Sequence, residues 1–393
     1  MMEPAHAGGT MPRAFLRLGG ATLAQHQLMV ALAAGCERIA CIARALTPEL
    51  IALQHEAERA GAKFHMISGA RALSGLVTAN DELLVIGEGL VAALPDALDT
   101  LGDAPAILVL PAETAVPQGF ERIDLNHAAA GLMLLPGRLV ERLNDLPADA
   151  EPTSALLRIG LQAGIAQRGV AEPAVLAGHW LMVRDEEAAH AAELDWMQRH
   201  TAGRGKAPGM ALATLIVRSF GPALLHGGSG GRWLALASYV LLAIAGGAGW
   251  FGWHATALGL CAPAWLLHRS ACIIERIQSE ALGRRTGMLA AEYPFGWLFD
   301  TVIGILLLFA TPYLPGEAFW QRSISPFMLF GLLGLFAYIL PGRWTPWLAD
   351  RMLLAILLCG MALASMLAPG VPALVALLLL GALYIAHRSS ISG

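Results

Sequence analysis

Three carboxylates stand around one polar break between two long apolar stretches of the chain. Glu275 and Glu280 lie at and just beyond the end of one stretch, and Asp300 lies early in the next. Charged side chains are costly to bury in apolar surroundings, so such a group indicates where function is to be sought. Carboxylate oxygens are also the ligands that hard divalent cations prefer. Asp350 and Arg351, farther along, are interpreted as a simple ion pair near a helix end.

The apolar stretches that flank these carboxylates are long enough to cross a membrane. A hydrocarbon core requires about 20 helical residues at 1.5 Å per residue. The chain has 56% hydrophobic residues, 14% charged residues and a mean hydropathy of +0.57, whereas a soluble domain has about 25% charged residues. We therefore predict an all-α polytopic membrane domain with about six transmembrane helices, at about 232–252, 254–275, 293–313, 324–341, 346–367 and 371–387.

The placement of arginine predicts how this domain is oriented. With a cytoplasmic N-terminal domain, six spans return the C-terminus to the cytoplasm. Arg322 then stands alone on the far side, and the cytoplasmic breaks carry Arg276, Arg284, Arg285, Arg343 and Arg388. This distribution follows the positive-inside rule. Because Met1–Gly9 lacks the features of a signal peptide, we expect a multi-pass protein of the cell inner (cytoplasmic) membrane with both termini in the cytoplasm.

The chain before about residue 200 has a different composition. Most acidic residues lie there, and short apolar runs at Glu82–Gly87 and Ala106–Leu110 suit buried parallel strands. We predict a cytoplasmic α/β domain at 1–185, a linker with an interfacial helix at 186–231, and the membrane domain at 232–393. The small net charge of −4 suggests no nucleic-acid partner. Five cysteines without a CxxC pair indicate neither a disulfide framework nor a metal framework.

The loop that carries the carboxylates resembles a known signature. Ile274–Arg284 followed by Phe295–Gly304 is similar to the pattern of the CDP-alcohol phosphotransferases, D-x-x-D-G-x-x-A-R and then G-x-x-x-D-x-x-x-D. In that family the pattern joins the second and third helices of a six-helix membrane domain. Glu275 takes the first aspartate position and Asp300 the third. A glutamine takes the second, and Gly304 stands at the fourth, which is the family's proposed base.

The resemblance implies a site for Mg²⁺ or Mn²⁺ at which a phospho-alcohol moves from a CDP-linked donor to an acceptor. A rearranged site would use carboxylates for the metal, arginines for phosphate and Glu292 as a substitute base. Its metal ligands would be Glu275, Glu280 and Asp300, of which Asp300 is also catalytic, and its phosphate-binding residues would be Arg284 and Arg285.

The start of the chain resembles a second family. Gly8–Gln27 is similar to the opening of the sugar-phosphate nucleotidyltransferases, in which a Gly-rich loop precedes P-K-x-L-x-x-(L/V)-G-G-x-P-L. This implies a Rossmann-like, nucleotidyltransferase-like α/β domain over roughly residues 5 to 185, with loop N–H groups close to nucleotide phosphates. Gly8 and Gly9 remain of the loop. Arg13 stands at the lysine position, and Glu88 stands where a metal-binding aspartate is expected.

The combination of the two halves resembles the bifunctional enzymes that make CDP-inositol and transfer its phospho-polyol. It implies a membrane protein of phospholipid or polar-head-group synthesis, with a CDP-alcohol or nucleotide donor and a lipid or polyol acceptor. Because expected site residues are replaced in both halves, the alternative is a catalytically inactive scaffold or regulatory subunit. Such a subunit would form a complex with an active lipid enzyme, and relatives of the membrane domain are commonly homodimers. A transporter is a third hypothesis, although the internal repeats typical of transporters are not evident.

Overall fold

The computed structural model describes residues 12–147, 150–171, 174–175, 178–201, 207–226, 230–282, 292–311, 319–339, 347 and 350–391. The chain divides between Trp196 and Met197 into two compact units. Most described residues are helical, and the described strands all belong to the first unit, which has mixed sheets. An α/β unit thus precedes a helical unit of about the same length.

A four-stranded mixed sheet lies at the centre of the first unit. In spatial order its strands are β5 (Glu82–Ile86), β8 (His127–Pro136), β7 (Ala106–Pro111) and β9 (Ala166–Gly169). β8 is antiparallel to both neighbours, and β9 is parallel to β7. The strands predicted at β5 and β7 are present, but each pairs with the antiparallel β8 that lies between them. The length of an apolar run indicates a strand without specifying its neighbour, which is why the parallel pairing predicted for β5 is wrong.

A separate two-stranded parallel sheet pairs β3 (Arg38–Ile42) with β4 (Lys63–Ile67). Helix α1 (Leu23–Ala33) begins with a capping box between Thr22 and Gln25. The other helices of this unit are α2 (Pro48–Arg59), α3 (Leu94–Leu101), α4 (Ala112–Ala115), α5 (Pro152–Gln162) and α6 (Glu186–Thr201), which ends in the second unit. Short strands and 3-10 turns complete it: Arg13–Phe15, β1 (Arg17–Leu18), β2 (Ala21–Thr22), Ala70–Gly75, β6 (Leu90–Ala92), Gly137–Asp145 and β10 (Trp180–Met182).

Contacts at both ends hold β3 alongside β5. Arg38, the first residue of β3, forms an ion pair with Asp81, the residue before β5, at 2.6 Å. At the other end, Gln27 of α1 donates to the Gly87 carbonyl at 2.9 Å, and the same helix packs in one hydrophobic cluster with Cys41 of β3. The two strands therefore start at the same end and run in the same direction.

The Arg38–Asp81 pair predicts a pH dependence of stability. Hydrogen bonds from the Thr78 N–H, the Arg38 guanidinium and the Thr78 hydroxyl lower the pKa of the Asp81 carboxyl to about 2. Because this pKa lies below the unfolded value of about 3.9, the stabilisation is present above about pH 4 and is lost as the pH falls through about 2. Between these values, the melting temperature of the wild-type chain should fall more steeply than that of Asp81→Asn. Thermal unfolding followed by circular dichroism at several pH values gives the change of melting temperature with pH for each protein. An equal change in the two proteins would contradict the prediction.

The described part of the second unit is helical. Its helices are α7 (Pro208–His226), α8 (Gly230–Trp250), α9 (His254–Leu282), α10 (Glu292–Ala310), α11 (Phe319–Ile339), α12 (Arg351–Leu363) and α13 (Leu367–Ile391). Apolar residues from α8 to α13 form one buried cluster. Other large apolar side chains point outward, among them Trp233 and Phe327, which are 66% and 81% exposed. An apolar outer surface of this kind is typical of a membrane contact.

The number of candidate membrane spans in the described part of the chain is smaller than predicted. Within the described residues, two helices are long and apolar enough to cross a membrane, Gly230–Trp250 and His254–Ser279. The apolar segments found in the other helices are shorter: Pro294–Ala310, Arg322–Leu335, Arg351–Leu363 and Leu367–Gly381. Among the described residues, the prediction of about six spans is therefore supported for two helices only, because the others do not pass this joint test of length and composition.

Candidate functional site

Two predicted residues from separate parts of the sequence line one cavity in the first unit. The cavity has a volume of about 340 Å³, at the small end of the range for ligand sites. Arg13 lies in the first 3-10 turn, Glu88 follows β5, and both line the cavity. A Cβ built on Gly89 would lie 3.1 Å from the Arg13 Cδ, so the arginine side chain packs against the residue after Glu88. The structure thus brings Arg13 and Glu88 together.

Glycines form part of the cavity wall. Gly87, Gly119 and Gly131 line it, and the last two have φ values of +101° and +80°, a region that favours glycine. The absence of side chains lets other groups pack closely here: the Arg184 guanidinium lies against Gly119, and Met182 and Leu90 lie against Gly131. Arg184 also lines the cavity and donates to the Gly119 carbonyl. This second arginine was not predicted from the sequence, since no motif marks it.

Two further carboxylates line the cavity, and both accept hydrogen bonds from residues in the first turn of α5. Glu151 accepts hydrogen bonds from the N–H groups of Thr153 and Ser154, at 3.1 and 2.5 Å. Glu121 accepts one from the Ser154 hydroxyl at 2.7 Å. The cavity therefore combines two arginines that can attract an anion with carboxylates that can face a cation.

In the second unit, Asp300 is held by an arginine from another helix. The Arg351 Nη2 and Nε lie 3.0 and 3.3 Å from its two carboxylate oxygens, and both side chains are about one-fifth exposed. The Asp350 carboxylate accepts hydrogen bonds from two backbone N–H groups instead. One is that of Met352 at 3.0 Å, which caps α12, and the other is that of Gly209 at 2.6 Å. Arg351 thus pairs with Asp300, although the sequence suggested Asp350.

Ring contacts fix how α9 and α10 pack. The His268 ring stacks on Phe295 with centroids 3.8 Å apart, and Trp265 packs on Phe299 at 4.9 Å. Because the earlier residue of α9 meets the later residue of α10, the two helices are antiparallel. Asp300 follows Phe299 and therefore lies at about the level of Trp265.

Glu275 lies far along α9 from this level. It is ten residues beyond Trp265, which is about 15 Å along a helix at 1.5 Å per residue. Carboxylates that share one cation must each place an oxygen within about 2.6 Å of it. The structure therefore does not bring Glu275 and Asp300 to one ion. The described residues contain no group of three or more His, Cys, Asp or Glu side chains placed to hold a metal.

The structure does not describe the side chains of the remaining predicted site residues. Gly8, Gly9, Arg284 and Arg285 lie outside the described residues. Glu280 and Glu292 belong to α9 and α10, but their side chains are outside the description. Their proposed roles remain predictions.

A buried histidine in the second unit was not predicted as a site residue. His268 is 1% exposed, and its Nδ1 lies 3.4 Å from the Ser238 hydroxyl. Its ring meets Tyr239 edge-on at 5.9 Å. Beside it, the Arg269 guanidinium lies 4.7 Å from the Trp265 ring centroid. Hydrophobic periodicity marks such a histidine only as one polar residue in an apolar stretch.

No protein-family profile matches this chain, and no curated protein matches its sequence. The resemblances to the two transferase families therefore depend on the quoted motifs alone.

Proposed function

We propose that this is a membrane protein that binds a nucleotide or a nucleotide-linked phospho-alcohol in its α/β unit, without catalysing transfer in its helical unit. It would act as a scaffold or regulatory subunit of phospholipid or polar-head-group synthesis. The observation that carries this proposal is the Arg351 guanidinium, which spans both oxygens of the Asp300 carboxylate.

The argument against transfer concerns the metal. A bidentate arginine already neutralises the Asp300 carboxylate, so a divalent cation there would have to compete with the positive charge of the guanidinium. Gly304, at the position of the family's base, has no group that could accept a proton. A two-metal transfer also needs several carboxylates on facing helices, and about 15 Å of helix separates the levels of Glu275 and Asp300.

The argument for binding concerns the cavity in the α/β unit. Arg13 and Arg184 are cations on its wall. Arginine side chains are a common means by which proteins hold phosphate groups. Glu88 on the same wall is a candidate ligand for a Mg²⁺ or Mn²⁺ ion carried by a nucleotide.

Transfer of a phospho-alcohol from a CDP-linked donor to a lipid or polyol acceptor is the second candidate. It is favoured by the order of the apolar helices α8 to α13, which follows the six-helix arrangement that the resemblance implies. In that case all six would span the cell inner membrane, with both termini cytoplasmic and possible homodimer formation. The ion pair between Arg351 and Asp300 would have to break. The metal would then have to bind Asp300 together with the other predicted carboxylates, Glu275, Glu280 and Glu292.

Titration calorimetry with CTP and CDP-alcohols, with and without Mg²⁺ or Mn²⁺, tests the proposal on the detergent-purified chain. We expect saturable binding that Arg13→Ala weakens at least tenfold, which corresponds to about 1.4 kcal/mol. Arg17→Ala removes an exposed arginine that does not line the cavity, and it should leave affinity unchanged. No binding at millimolar nucleotide would sink the proposal. Metal-dependent release of CMP from a CDP-alcohol, lost in Asp300→Asn, would establish the second candidate instead.

A further inference from the structure

Large aromatic side chains are exposed at the turn between α8 and α9. Trp250, Phe251 and Trp253 are 74%, 77% and 67% exposed, and we call the segment Trp250–Trp253 the aromatic turn. Single exposed apolar residues need no explanation, but several together mark a contact surface. Tryptophan in particular is enriched where a membrane meets water. The aromatic turn is therefore a candidate contact with lipid.

The backbone of the aromatic turn is hydrogen-bonded within the chain. Gly252 has a φ of +83°, which glycine adopts readily and which ends α8 tightly. Three N–H groups of the turn donate to α8 carbonyls: Phe251 to Gly247 at 3.2 Å, Gly252 to Gly249 at 3.0 Å and Trp253 to Ala248 at 3.0 Å. Helix α9 begins at the next residue. A backbone N–H without a partner is costly in lipid, so these bonds allow the turn to enter an apolar layer.

The opposite end of the α8–α9 pair is charged. The aromatic turn joins the two helices at one end. At the other end, a Cβ built on Gly231 would lie 2.9 Å from the Glu275 Cγ, so the helices lie side by side over the length of α8. Arg232 and Arg276 stand at that far end, and both are exposed. One end of the pair thus carries aromatic rings, and the other carries positive charge.

An apolar stripe on α8 connects the two ends. The sequence from Trp233 to Leu267 contains no Asp, Glu, Lys or Arg. The exposed large side chains of α8 recur every three or four residues, which places them on one face. They are Trp233, Leu236, Val240 and Ile244. On α9, the charged Arg269 follows this stretch, and its guanidinium packs 4.7 Å from the Trp265 ring centroid. The stripe therefore leads without a charge from Trp233 to the aromatic turn.

The stripe is slightly shorter than an average membrane core. Trp250 is seventeen residues beyond Trp233, which is about 26 Å of helix at 1.5 Å per residue. The hydrocarbon core of a typical bilayer is about 30 Å thick. A helix shorter than the core thins the bilayer around it, at a cost in free energy for each Å of mismatch. The α8–α9 pair therefore fits a bilayer that is thinner than average.

The aromatic surface continues onto a third helix. Phe309 of α10 packs edge-on against Trp250, with ring centroids 5.8 Å apart, and Phe309 is itself exposed. A lipid interface surrounds all the helices that cross it, so it meets an aromatic belt contributed by several of them. The spread of the rings over α8, α9 and α10 therefore favours lipid over a partner protein that covers one patch.

We propose that the aromatic turn lies in the lipid–water interface of one leaflet, with Arg232 and Arg276 at the interface of the other. Helices α8 and α9 then cross a hydrocarbon layer of about 26 Å, and the partner of this surface is a thin phospholipid bilayer. The proposal rests on the membrane location in the proposed function, and it does not depend on nucleotide binding.

A series of bilayers that differ in thickness tests the proposal on the unmodified chain. The protein is reconstituted in dioleoyl or in dierucoyl phosphatidylcholine, whose longer chains form a thicker hydrocarbon layer. Thermal unfolding should occur at least about 3 °C higher in the dioleoyl bilayer, because the mismatch is smaller there. An equal or higher melting temperature in the dierucoyl bilayer would overturn the proposal.

Spin labels measure the depth of single positions in the dioleoyl bilayer. They are attached to Phe251→Cys, Val240→Cys or Trp233→Cys in a chain whose five native cysteines are replaced by alanine. Oxygen dissolves in hydrocarbon, whereas a charged nickel complex stays in water. The ratio of oxygen to nickel collisions should be at least threefold higher at Val240→Cys than at either end of the stripe. Leu125→Cys, at a residue of the first unit that is 85% exposed, gives the ratio for a label in water.

The labels also separate this proposal from the proposed function. A label at Phe251→Cys that neither reagent reaches would show that protein covers the aromatic turn. A label there that is as deep as the one at Val240→Cys would place the turn inside the hydrocarbon layer. Either result overturns the present proposal alone. A label at Val240→Cys that behaves like the one at Leu125→Cys would place α8 in water, which would contradict the membrane location in the proposed function as well.

Discussion

Arg351→Ala should lower the free energy of unfolding of the helical unit by about 3 kcal/mol, since removing one partner of a largely buried ion pair leaves the other charge uncompensated. The Asp300 carboxylate is about one-fifth exposed and would lose a partner that contacts both of its oxygens. Arg351 also lies 5.8 Å from the Trp265 ring centroid, so the substitution removes packing as well. Unfolding in detergent with increasing denaturant measures the loss.

A double-mutant cycle separates the ion pair from the packing. Asp300→Asn removes the stranded charge, so adding it to Arg351→Ala should recover a large part of the lost stability. Arg276→Ala, at an exposed arginine of α9, should change stability by no more than about 0.5 kcal/mol. If the two substitutions at the pair were simply additive, Asp300 would not depend on Arg351. The structural argument against a metal at Asp300 would then be lost.

Two strands of the first unit were predictable from the sequence, whereas the strands that pair with them were not. The apolar runs at Glu82–Gly87 and Ala106–Leu110 identified β5 and β7. Nothing local to Glu82–Gly87 indicates that β8, which is about 45 residues later, pairs with it in the antiparallel direction. Local propensity depends on a residue's own type, but pairing depends on the way the whole chain folds back.

For the candidate sites, too, the sequence indicated individual residues but not the residues that contact them in the structure. Arg13 and Glu88 were found because flanking motifs gave them positions, and the structure places both on one cavity wall. Asp300 was found as a carboxylate in an apolar stretch, but its partner Arg351 is 51 residues away on another helix. An ion pair between helices depends on their packing, which no spacing in the sequence encodes. The motif placed Asp300 as a metal ligand, and in the structure its carboxylate is paired with Arg351.

Asp350→Ala should also destabilise the helical unit, by about 2 to 4 kcal/mol. Asp350 is 6% exposed, and each of its oxygens accepts from a different backbone N–H, that of Met352 in the first turn of α12 and that of Gly209 in the first turn of α7. These are donors that a helix cannot satisfy internally. Loss of an N-cap costs about 1 kcal/mol, and a buried N–H left without an acceptor costs about 1 to 3 kcal/mol more.

The matched variant at this position is Asp350→Asn, which preserves the shape but has only one acceptor oxygen. It can serve Met352 or Gly209 but not both, so its loss of stability should be about half that of Asp350→Ala. Gly209→Ala tests the same contact from the other helix, because its Cβ would lie 2.7 Å from an Asp350 oxygen and would force α7 away. Denaturant unfolding in detergent measures the loss of stability in each of the three variants and so ranks them. If Asp350→Asn were as stable as the wild type, one of the two hydrogen bonds would contribute nothing, and the carboxylate would act only as a helix cap.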